Sequence, residues 1–158
     1  MRILNLAVVC AAVALAACGK EEPAPPDAAA LDFEKKLQTQ LITAQPGDVI
    51  TIPAGRHQIS RGLSLNVSGV TIRGEGMDTS ILSFAGQLQG AEGLLVNASD
   101  FTIEDLAIED TAGDGLTVNE GRNIVIRRVR TEWTNGPDAK NGAYGIYPVQ
   151  AENVLLED

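Results

Sequence analysis

The feature that most constrains the fold is a unit that recurs four times: a turn of small or polar residues followed by alternating apolar residues. The four copies are VSGVTIRGE (67–75), ASDFTIEDL (98–106), GRNIVIRRV (121–129) and AENVLLED (151–158). Aligned on the turn, their apolar residues form two columns, which are Val70, Phe101, Ile124 and Val154, and then Ile72, Ile103, Ile126 and Leu156. The copies are 31, 23 and 30 residues apart, a spacing within the range of internal repeats.

A second segment precedes each copy and aligns in the same way. It reads GLSLN at Gly62, GLLVN at Gly93, GLTVN at Gly115 and GIYPV at Gly145. Its apolar columns are Leu63, Leu94, Leu116 and Ile146, and then Leu65, Val96, Val118 and Pro148. One unit cannot bury its apolar side alone, whereas stacked units place like residues above one another at about 4.8 Å, the usual strand spacing. The sequence therefore predicts an all-β chain folded as a parallel β-helix, because an antiparallel sandwich would not require this agreement.

A short helix is predicted before the first strand, over residues 31–45. Its apolar residues at four-residue spacing are Phe33, Leu37 and Leu41. Asp32 lies near the start as an N-terminal cap, and Pro46 stops the helix. We expect this helix to cover the open end of the solenoid formed by residues 46–158. Because the last unit stops in mid-coil, we expect that solenoid to be truncated at its C-terminal end.

The first thirty residues predict export and lipid attachment. Arg2 precedes an apolar stretch that is too short to span a membrane and that ends in the letters LAAC at Cys18. This pattern is typical of a bacterial lipoprotein, with residues 1–17 as the signal peptide and Cys18 as the lipid attachment site; a plain secretory signal with an incidental cysteine is the alternative. Residues 18–30 are rich in proline and charge and predict a flexible tether. Since Gly19 is not aspartate, we expect an outer-membrane lipoprotein facing the periplasm or the cell surface.

The charge balance argues against one large class of partner. The chain has 12 Lys and Arg against 21 Asp and Glu, a net charge of −9, whereas a nucleic-acid binder needs clustered cations to neutralise phosphates. We therefore expect no nucleic-acid partner. With Cys10 in the signal peptide and Cys18 lipidated, no thiol remains for a disulfide or a thiolate metal site.

Two polar columns follow the apolar ones. The first is Arg73, Glu104, Arg127 and Glu157, and the second is Gly74, Asp105, Arg128 and Asp158. Opposite charges above one another favour a single register of stacked strands, so we interpret these columns as a register-setting ladder. The alternative is a cationic site made by Arg127 and Arg128. A further ladder is predicted at a turn, because Asn tolerates left-handed backbone geometry, and its members are Asn66, Asn97 and Asn119.

Three loops are predicted to share one corner of the coil: residues 84–92, 110–115 and 134–145. The third groups aromatic and polar side chains that we take as substrate-binding candidates, namely Trp133, Asp138, Asn141 and Tyr147. Sugar sites combine an aromatic platform with a few polar groups, and this is the best such cluster in the chain. The alternative is a solvated loop held in place by a packed Trp133. His57, the only histidine, is interpreted as a half-buried strand residue away from this corner.

The same loops offer catalytic candidates without a defined spacing. A polysaccharide lyase needs a base for the proton at C5 of a uronic acid and a cation for its carboxylate, and Lys140 or Tyr144 would be the base. Asp110, Asp114 and Asp138 carry the oxygen ligands that Ca²⁺ prefers, and Asp110 with Asp114 is one carboxylate pair for a hydrolase. The catalytic candidates are therefore Lys140, Tyr144 and Asp114. No metal site is predicted, and Ca²⁺ is the one cofactor that these residues suggest.

Four segments, AQPGDVITIPAG (44–55), VTIRGEGMDTSIL (70–82) and the GLLVN–FTIEDL and GLTVN–NIVIRRV coils, carry a resemblance to known proteins. They resemble right-handed parallel β-helix repeat proteins with the pectin-lyase-like fold, and more closely the bacterial parallel β-helix domain-containing lipoproteins. The wider fold includes polysaccharide lyases, hydrolases and epimerases as well as carbohydrate-binding and accessory proteins. The resemblance implies a right-handed coil and a carbohydrate-binding or accessory module. The alternatives are a lyase or C5-epimerase acting on uronate-containing glycans, and a purely structural role in the envelope.

Overall fold

The computed structural model describes residues 27–158. The predicted signal peptide, the lipid attachment site at Cys18 and most of the predicted tether lie outside these residues. The described part of the chain forms one helix and ten strands. They are α1 (Ala28–Thr43), β1 (Val49–Thr51), β2 (Gly55–Gln58), β3 (Arg61–Leu65), β4 (Thr71–Arg73), β5 (Ser80–Ser83), β6 (Gln89–Asn97), β7 (Phe101–Glu109), β8 (Leu116–Glu132), β9 (Ile146–Pro148) and β10 (Ala151–Glu157).

The helix α1 begins three residues before the position expected from the sequence. Asp27 is its N-cap, and the Asp27 carboxylate accepts a hydrogen bond from the backbone N–H of Ala30 at 2.7 Å. Asp32, the predicted cap, lies inside the helix, so that prediction is wrong. The reason is that residues 28–30 are alanines, the strongest helix formers, and they extend the helix back to the earlier aspartate.

One face of α1 packs on the first strands. Leu37 and Leu41 are buried in the hydrophobic core, and Phe33 is partly buried against it. Glu34 is also buried, and its carboxylate accepts hydrogen bonds from the backbone N–H of Ser60 at 2.6 Å and from Nε of Arg61 at 2.7 Å. The helix is thus attached to the β structure by both apolar burial and a charged anchor.

Every strand pairing in residues 27–158 is parallel, and the pairs form three stacks. The first stack joins β3, β6, residues 116–118 of β8, and β9. The second stack joins β1, β4, residues 101–104 of β7, residues 124–127 of β8, and β10. The third stack joins β2, β5, residues 106–109 of β7 and residues 129–132 of β8. The chain visits the stacks in turn, so the protein is mostly β, with one helix and a curled parallel sheet.

The strand register confirms the apolar columns read from the sequence. The columns that begin at Leu63, Leu65 and Ile72 are paired residue by residue as predicted. Their members in the middle strands, Leu94 and Ile103 among them, are almost fully buried, and each buried side chain of this size stabilises the fold by about 1.5–3 kcal/mol. The third stack was not predicted, although Ile108 pairs there with the equally buried Leu82.

The charged columns form the predicted ladder. Arg73 donates from Nε to Glu104 at 2.6 Å, and Arg127 Nε lies 3.7 Å from Glu104 and 3.4 Å from Glu157. In the next column the side chain of Arg128 is held by Asp105. Because both Arg127 and Arg128 have carboxylate partners, this geometry favours the register-setting ladder over a free cationic site.

The asparagine column is confirmed only in part. Asn97 donates from Nδ2 to Oδ1 of Asn66 at 2.9 Å, as expected for stacked turns. Asn119 does not continue this ladder, because a register shift after Val96 makes Asn97 the pairing partner of Glu120. That part of the prediction is wrong, since an extra residue in β8 moves Asn119 out of the column.

A second ladder at the start of the second stack was not predicted. Asn123 donates from Nδ2 to Oδ1 of Asp100 at 2.8 Å, and Asn153 donates to Oδ1 of Asn123 at 3.2 Å. All three residues have positive φ angles between 52° and 58°. Asp and Asn are the side chains that best tolerate this left-handed conformation, which explains why these residue types recur here.

Candidate functional site

The three variable loops lie against one another at one corner, as the sequence predicts. The backbone N–H of Gly113 donates to the carbonyl oxygen of Ala91 at 2.6 Å, which joins the first loop to the second. The N–H of Gly115 donates to the carbonyl oxygen of Tyr144 at 3.0 Å, which joins the second loop to the third. Residues 84–92, 110–115 and 134–145 therefore form one continuous surface beside the first stack.

Two stacked tyrosines form the most exposed aromatic feature of this surface. The rings of Tyr144 and Tyr147 have centroids 4.3 Å apart and an interplanar angle of 15°. They are 50% and 37% exposed, respectively, so the pair presents aromatic surface to solvent. The backbone N–H of Tyr144 donates to Oδ1 of Asp114 at 3.0 Å, which holds the loop at this point. We call Tyr144 and Tyr147 the tyrosine platform.

Thr117 lies beside the platform and has an unusual environment. It pairs with Leu95 on one side and with Tyr147 on the other, so it occupies the outward column of the first stack. Thr117 is only 8% exposed, and its Oγ1 has no hydrogen-bond partner within the described residues. A buried hydroxyl without a partner costs free energy, so Thr117 is a point of local instability beneath this surface.

Trp133 anchors the third loop to the second. Its indole Nε1 donates to the carbonyl oxygen of Thr111 at 2.8 Å, and the residue is partly buried. The next residue, Thr134, donates from its backbone N–H to Oδ1 of Asp110 at 2.7 Å. This arrangement agrees with the packed role considered for Trp133, and the exposed aromatic surface at this corner is supplied by the tyrosine platform instead.

Asp138, Lys140 and Asn141 shape a tight turn at the tip of the third loop. The Asp138 side chain accepts from the backbone N–H of Lys140 at 2.9 Å, and Asn141 Nδ2 donates to the carbonyl oxygen of Gly136 at 2.9 Å. Within residues 27–158 no hydrogen bond joins these three residues to Tyr144 or to Tyr147. The predicted binding group is therefore divided into an aromatic part and a polar turn.

The three aspartates considered as Ca²⁺ ligands have separate partners. Asp110 forms an ion pair with Arg56 Nη2 at 3.1 Å, whereas Asp114 and Asp138 accept backbone hydrogen bonds within the loops. In the described part of the chain, no group of three or more His, Cys, Asp or Glu side chains could hold a metal ion. Asp110 and Asp114 likewise form no hydrogen bond with a common group in this part of the chain.

The expectation that His57 lies away from this corner is wrong, because its neighbours Arg56 and Gln58 contact Asp110 and the carbonyl oxygen of Ala85 in the first two loops. His57 itself is a partly buried residue of β2, as expected from the sequence. Its ring stacks on Phe33 of α1 with centroids 3.9 Å apart, and its Nε2 lies 2.9 Å from the carbonyl oxygen of Pro53. These contacts give the imidazole a structural role at the junction of helix and strands.

A buried cluster of charged side chains on the third stack was not predicted from the sequence. Glu109 is 2% exposed and accepts hydrogen bonds from Arg56 and from Arg130, the latter at 2.9 Å. Burial alone would lower the pKa of Arg130, but the hydrogen bonds with Glu132 and Glu109 outweigh burial and raise it. The repeated signal that could have revealed this cluster is the pairing of Glu109 with Glu132 in successive strands. Both arginines are engaged by carboxylates, Arg56 by Glu109 and Asp110, and Arg130 by Glu109, Glu132 and Asp78, so we interpret the cluster as a structural network.

Comparisons with known proteins return no relatives. No family model matches this chain, and no curated protein or solved structure matches it. Among residues 27–158, no helix is both long and apolar enough to cross a bilayer. The inference of function therefore rests on the chemistry of the surface described above.

Proposed function

We propose that this chain is a carbohydrate-binding module folded as a right-handed parallel β-helix, related to the bacterial β-helix lipoproteins and held at the outer membrane by lipid on Cys18. The observation that carries the binding proposal is the tyrosine platform, two stacked and half-exposed rings beside polar groups. The parallel registers and the recurrent turns support the β-helix, and the LAAC pattern supports the lipid anchor.

The platform suits a sugar because a pyranose ring has an apolar face of C–H groups and an edge of hydroxyl groups. Stacked tyrosine rings offer flat apolar surface, and their hydroxyl groups can donate and accept at the rim. A glycan lying across Tyr147 would shield the rings from water.

The charge of the chain favours a neutral glycan over an anionic one. The net charge is −9, and the arginines at ion-pair distance from carboxylates are Arg56, Arg61, Arg73, Arg127, Arg128 and Arg130. Few cations are left to attract a polyuronate, and the long-range field repels it. Binding to neutral hexose or N-acetylhexosamine oligosaccharides is therefore the preferred form of the proposal.

An enzyme acting on uronate-containing glycans is the second candidate, and one observation favours it. Lys140 forms no ion pair in the described part of the chain and is exposed on the same loop as Tyr144, so either group would be accessible as a base. A lyase of this kind would release an unsaturated uronate, whose ultraviolet absorbance rises with turnover, whereas a C5-epimerase would change only the product stereochemistry.

The test is calorimetric titration of the full chain with cellohexaose, chitohexaose, polygalacturonate and alginate, with and without Ca²⁺. We expect binding to a neutral oligosaccharide, with at least a tenfold loss of affinity in Tyr144→Ala and in Tyr147→Ala. Ile42→Ala, at an exposed apolar residue of α1, is the matched control and should bind like the parent. Equal affinity in all three variants, or no binding to any glycan, would overturn the proposal.

The same samples decide between binding and catalysis. Ultraviolet absorbance is followed in the polygalacturonate and alginate samples, and nuclear magnetic resonance of the recovered alginate reports C5 epimerisation. A change in either signal that is abolished by Lys140→Ala or Tyr144→Phe would establish the enzymatic candidate. Flat traces together with neutral-glycan binding would leave the binding module.

A further inference from the structure

A polar cleft lies at the corner between the first and second stacks, on the other side of the first stack from the variable loops. Its volume is about 350 Å³, large enough for part of a sugar ring with its hydration. The residues that line it are Ser68, Asn97, Ala98, Ser99, Glu120, Gly121, Arg122, Gln150 and Glu152. None of these residues belongs to the tyrosine platform or to the loop tip.

The cleft lies where the connection length changes, because the two later connections between the first and second stacks are one residue longer than the two earlier ones. Asn97 alone connects Val96 to the turn in β6, whereas Asn119 and Glu120 fill the same place in β8, which produces the register shift. The chain after β9 again uses two residues, Val149 and Gln150, before it pairs at Ala151. The register therefore shifts at this corner, as expected where a β-bulge redirects side chains.

Gly121 fixes the depth of the cleft. Its φ is +144°, and a Cβ at this position would lie 2.2 Å from the carbonyl oxygen of Ala98. Only glycine permits this approach of one strand to the next, and the approach leaves a small apolar floor of Gly121 and Ala98 beneath the polar walls. The close approach at Gly121 therefore contributes to the shape of the cleft.

The walls carry both hydrogen-bond acceptors and hydrogen-bond donors. Glu152 pairs in register with Arg122, yet the Arg122 side chain forms no ion pair within the described residues. The hydroxyl oxygens of Ser68 and Ser99 accept from the backbone N–H groups of Ser99 and Arg122, at 3.0 and 3.2 Å, which leaves both hydroxyl protons to donate. Acceptors and donors side by side suit the hydroxyl groups of a saccharide, which both donate and accept.

We propose that this cleft is a second sugar subsite, which takes a neutral hexose or N-acetylhexosamine unit of the same glycan that contacts the tyrosine platform. This inference rests on the proposed function. Glu120 and Glu152 outnumber the one cation, Arg122, so a uronate is repelled here while a hydroxyl-rich neutral ring is accepted. Gln150 follows Tyr147 by three residues, a backbone reach of about 11 Å at most, so one oligosaccharide can contact both places.

The experiment titrates the full, isotope-labelled chain with cellohexaose and chitohexaose and follows the side-chain amide resonances of Asn97 and Gln150. Trigalacturonate is the anionic comparison. The variants are Glu120→Gln and Glu152→Gln, which keep side-chain shape, with Asp32→Asn on the exposed face of α1 as the charge-matched control. We expect both amide resonances to shift with a neutral probe, and each cleft variant to lose at least fivefold in affinity while the control is unchanged.

The outcomes separate this inference from the proposed function. Parent-like affinity in both cleft variants and unmoved amide resonances, alongside lost affinity in Tyr144→Ala, would overturn the subsite and leave the platform. Absence of binding by any neutral probe would overturn both. Tighter binding of trigalacturonate than of the neutral probes, with shifts at Asn97 and Gln150, would overturn the assignment to neutral sugars.

Discussion

Arg128 holds Asp105 of the neighbouring strand through two hydrogen bonds, from Nε to Oδ1 at 2.5 Å and from Nη2 to Oδ2 at 2.9 Å. Both residues occupy one-residue turns between the second and third stacks, with φ angles of 48° and 61°. Below them stands Gly74, where a Cβ would lie 2.1 Å from the carbonyl oxygen of Asp105. At the lower end of this column the close approach of the backbone requires glycine at position 74, and the ion pair of Arg128 with Asp105 lies above it.

The first prediction concerns the charge of Asp105. Asp105→Asn keeps a side chain that tolerates the left-handed conformation and removes the charge. Because the pair is 26% and 40% exposed, we expect a loss of only about 0.5–1 kcal/mol in the free energy of unfolding at pH 7. Urea unfolding of the parent and of the variant, monitored by circular dichroism, gives this difference.

The pH dependence of that difference has a definite sign. The hydrogen bond from Arg128 lowers the pKa of Asp105 below its ordinary value. The stabilisation is therefore present above the unfolded pKa, near 3.9, and is lost as the pH falls through the lower pKa of the folded state. Parent and variant should differ equally at pH 7 and pH 5 and converge below about pH 4. A constant difference down to pH 3 would contradict the ion-pair explanation.

The sequence predicts the stacked columns well because register depends on many residues at once. A slip of one position would turn the columns that begin at Leu63 and Ile72 from the core to the solvent side. Single-residue features are harder to predict, since they depend on local chain length. The extra residue that displaces Asn119 lies in the connection that follows the first stack. This connection is one residue longer in β8 than in β6, and the apolar pattern is compatible with either length.

The second prediction concerns the unforeseen ladder at Asn123, which donates to Asp100 and accepts from Asn153. Asn123→Ala removes both hydrogen bonds and leaves at a φ of 58° a residue that tolerates this conformation less well than asparagine, so we expect a loss of about 1–2 kcal/mol in the free energy of unfolding. Asn123→Gly also removes the hydrogen bonds but accepts this φ, and it should cost less.

Chemical denaturation of both variants tests this explanation. Asn119→Ala is the control, because Asn119 is exposed and lies outside both ladders, and it should change stability by less than about 0.5 kcal/mol. If Asn123→Gly proves more destabilising than Asn123→Ala, the left-handed conformation is not what selects asparagine here.

The third prediction concerns Glu34, the buried carboxylate that attaches α1 to the strands. Glu34→Ala leaves the backbone N–H of Ser60 without its acceptor and separates Arg61 from its partner. We expect a loss of about 2–4 kcal/mol in the free energy of unfolding, because breaking a buried charged contact leaves the remaining group without a partner. Thermal and urea unfolding measure it, with Lys36→Ala, on the exposed side of the same helix, as the control. A loss as small as in Lys36→Ala would mean that apolar burial alone holds the helix.

The candidate site could be predicted only in outline from the sequence. The shared corner follows from the length differences between loops, and the aromatic residues were visible there. The sequence did not predict which of these aromatic residues face the solvent. Trp133 is held inward by its hydrogen bond to Thr111, whereas Tyr144 and Tyr147 stack on each other at the surface. The isolated hydroxyl of Thr117 depends on neighbours from other strands, and no local pattern marks it.

That hydroxyl supports the last prediction, which concerns the stability of the free protein. Thr117→Val has nearly the same shape and removes a buried group that lacks a partner within the described residues, so we expect the free protein to gain about 0.5–1 kcal/mol. Thr102→Val, at a partly exposed outward position of the second stack, corrects for the higher strand preference of valine. Urea unfolding should show a larger gain at position 117 than at position 102. A net loss of stability in Thr117→Val would mean that its hydroxyl is satisfied by water.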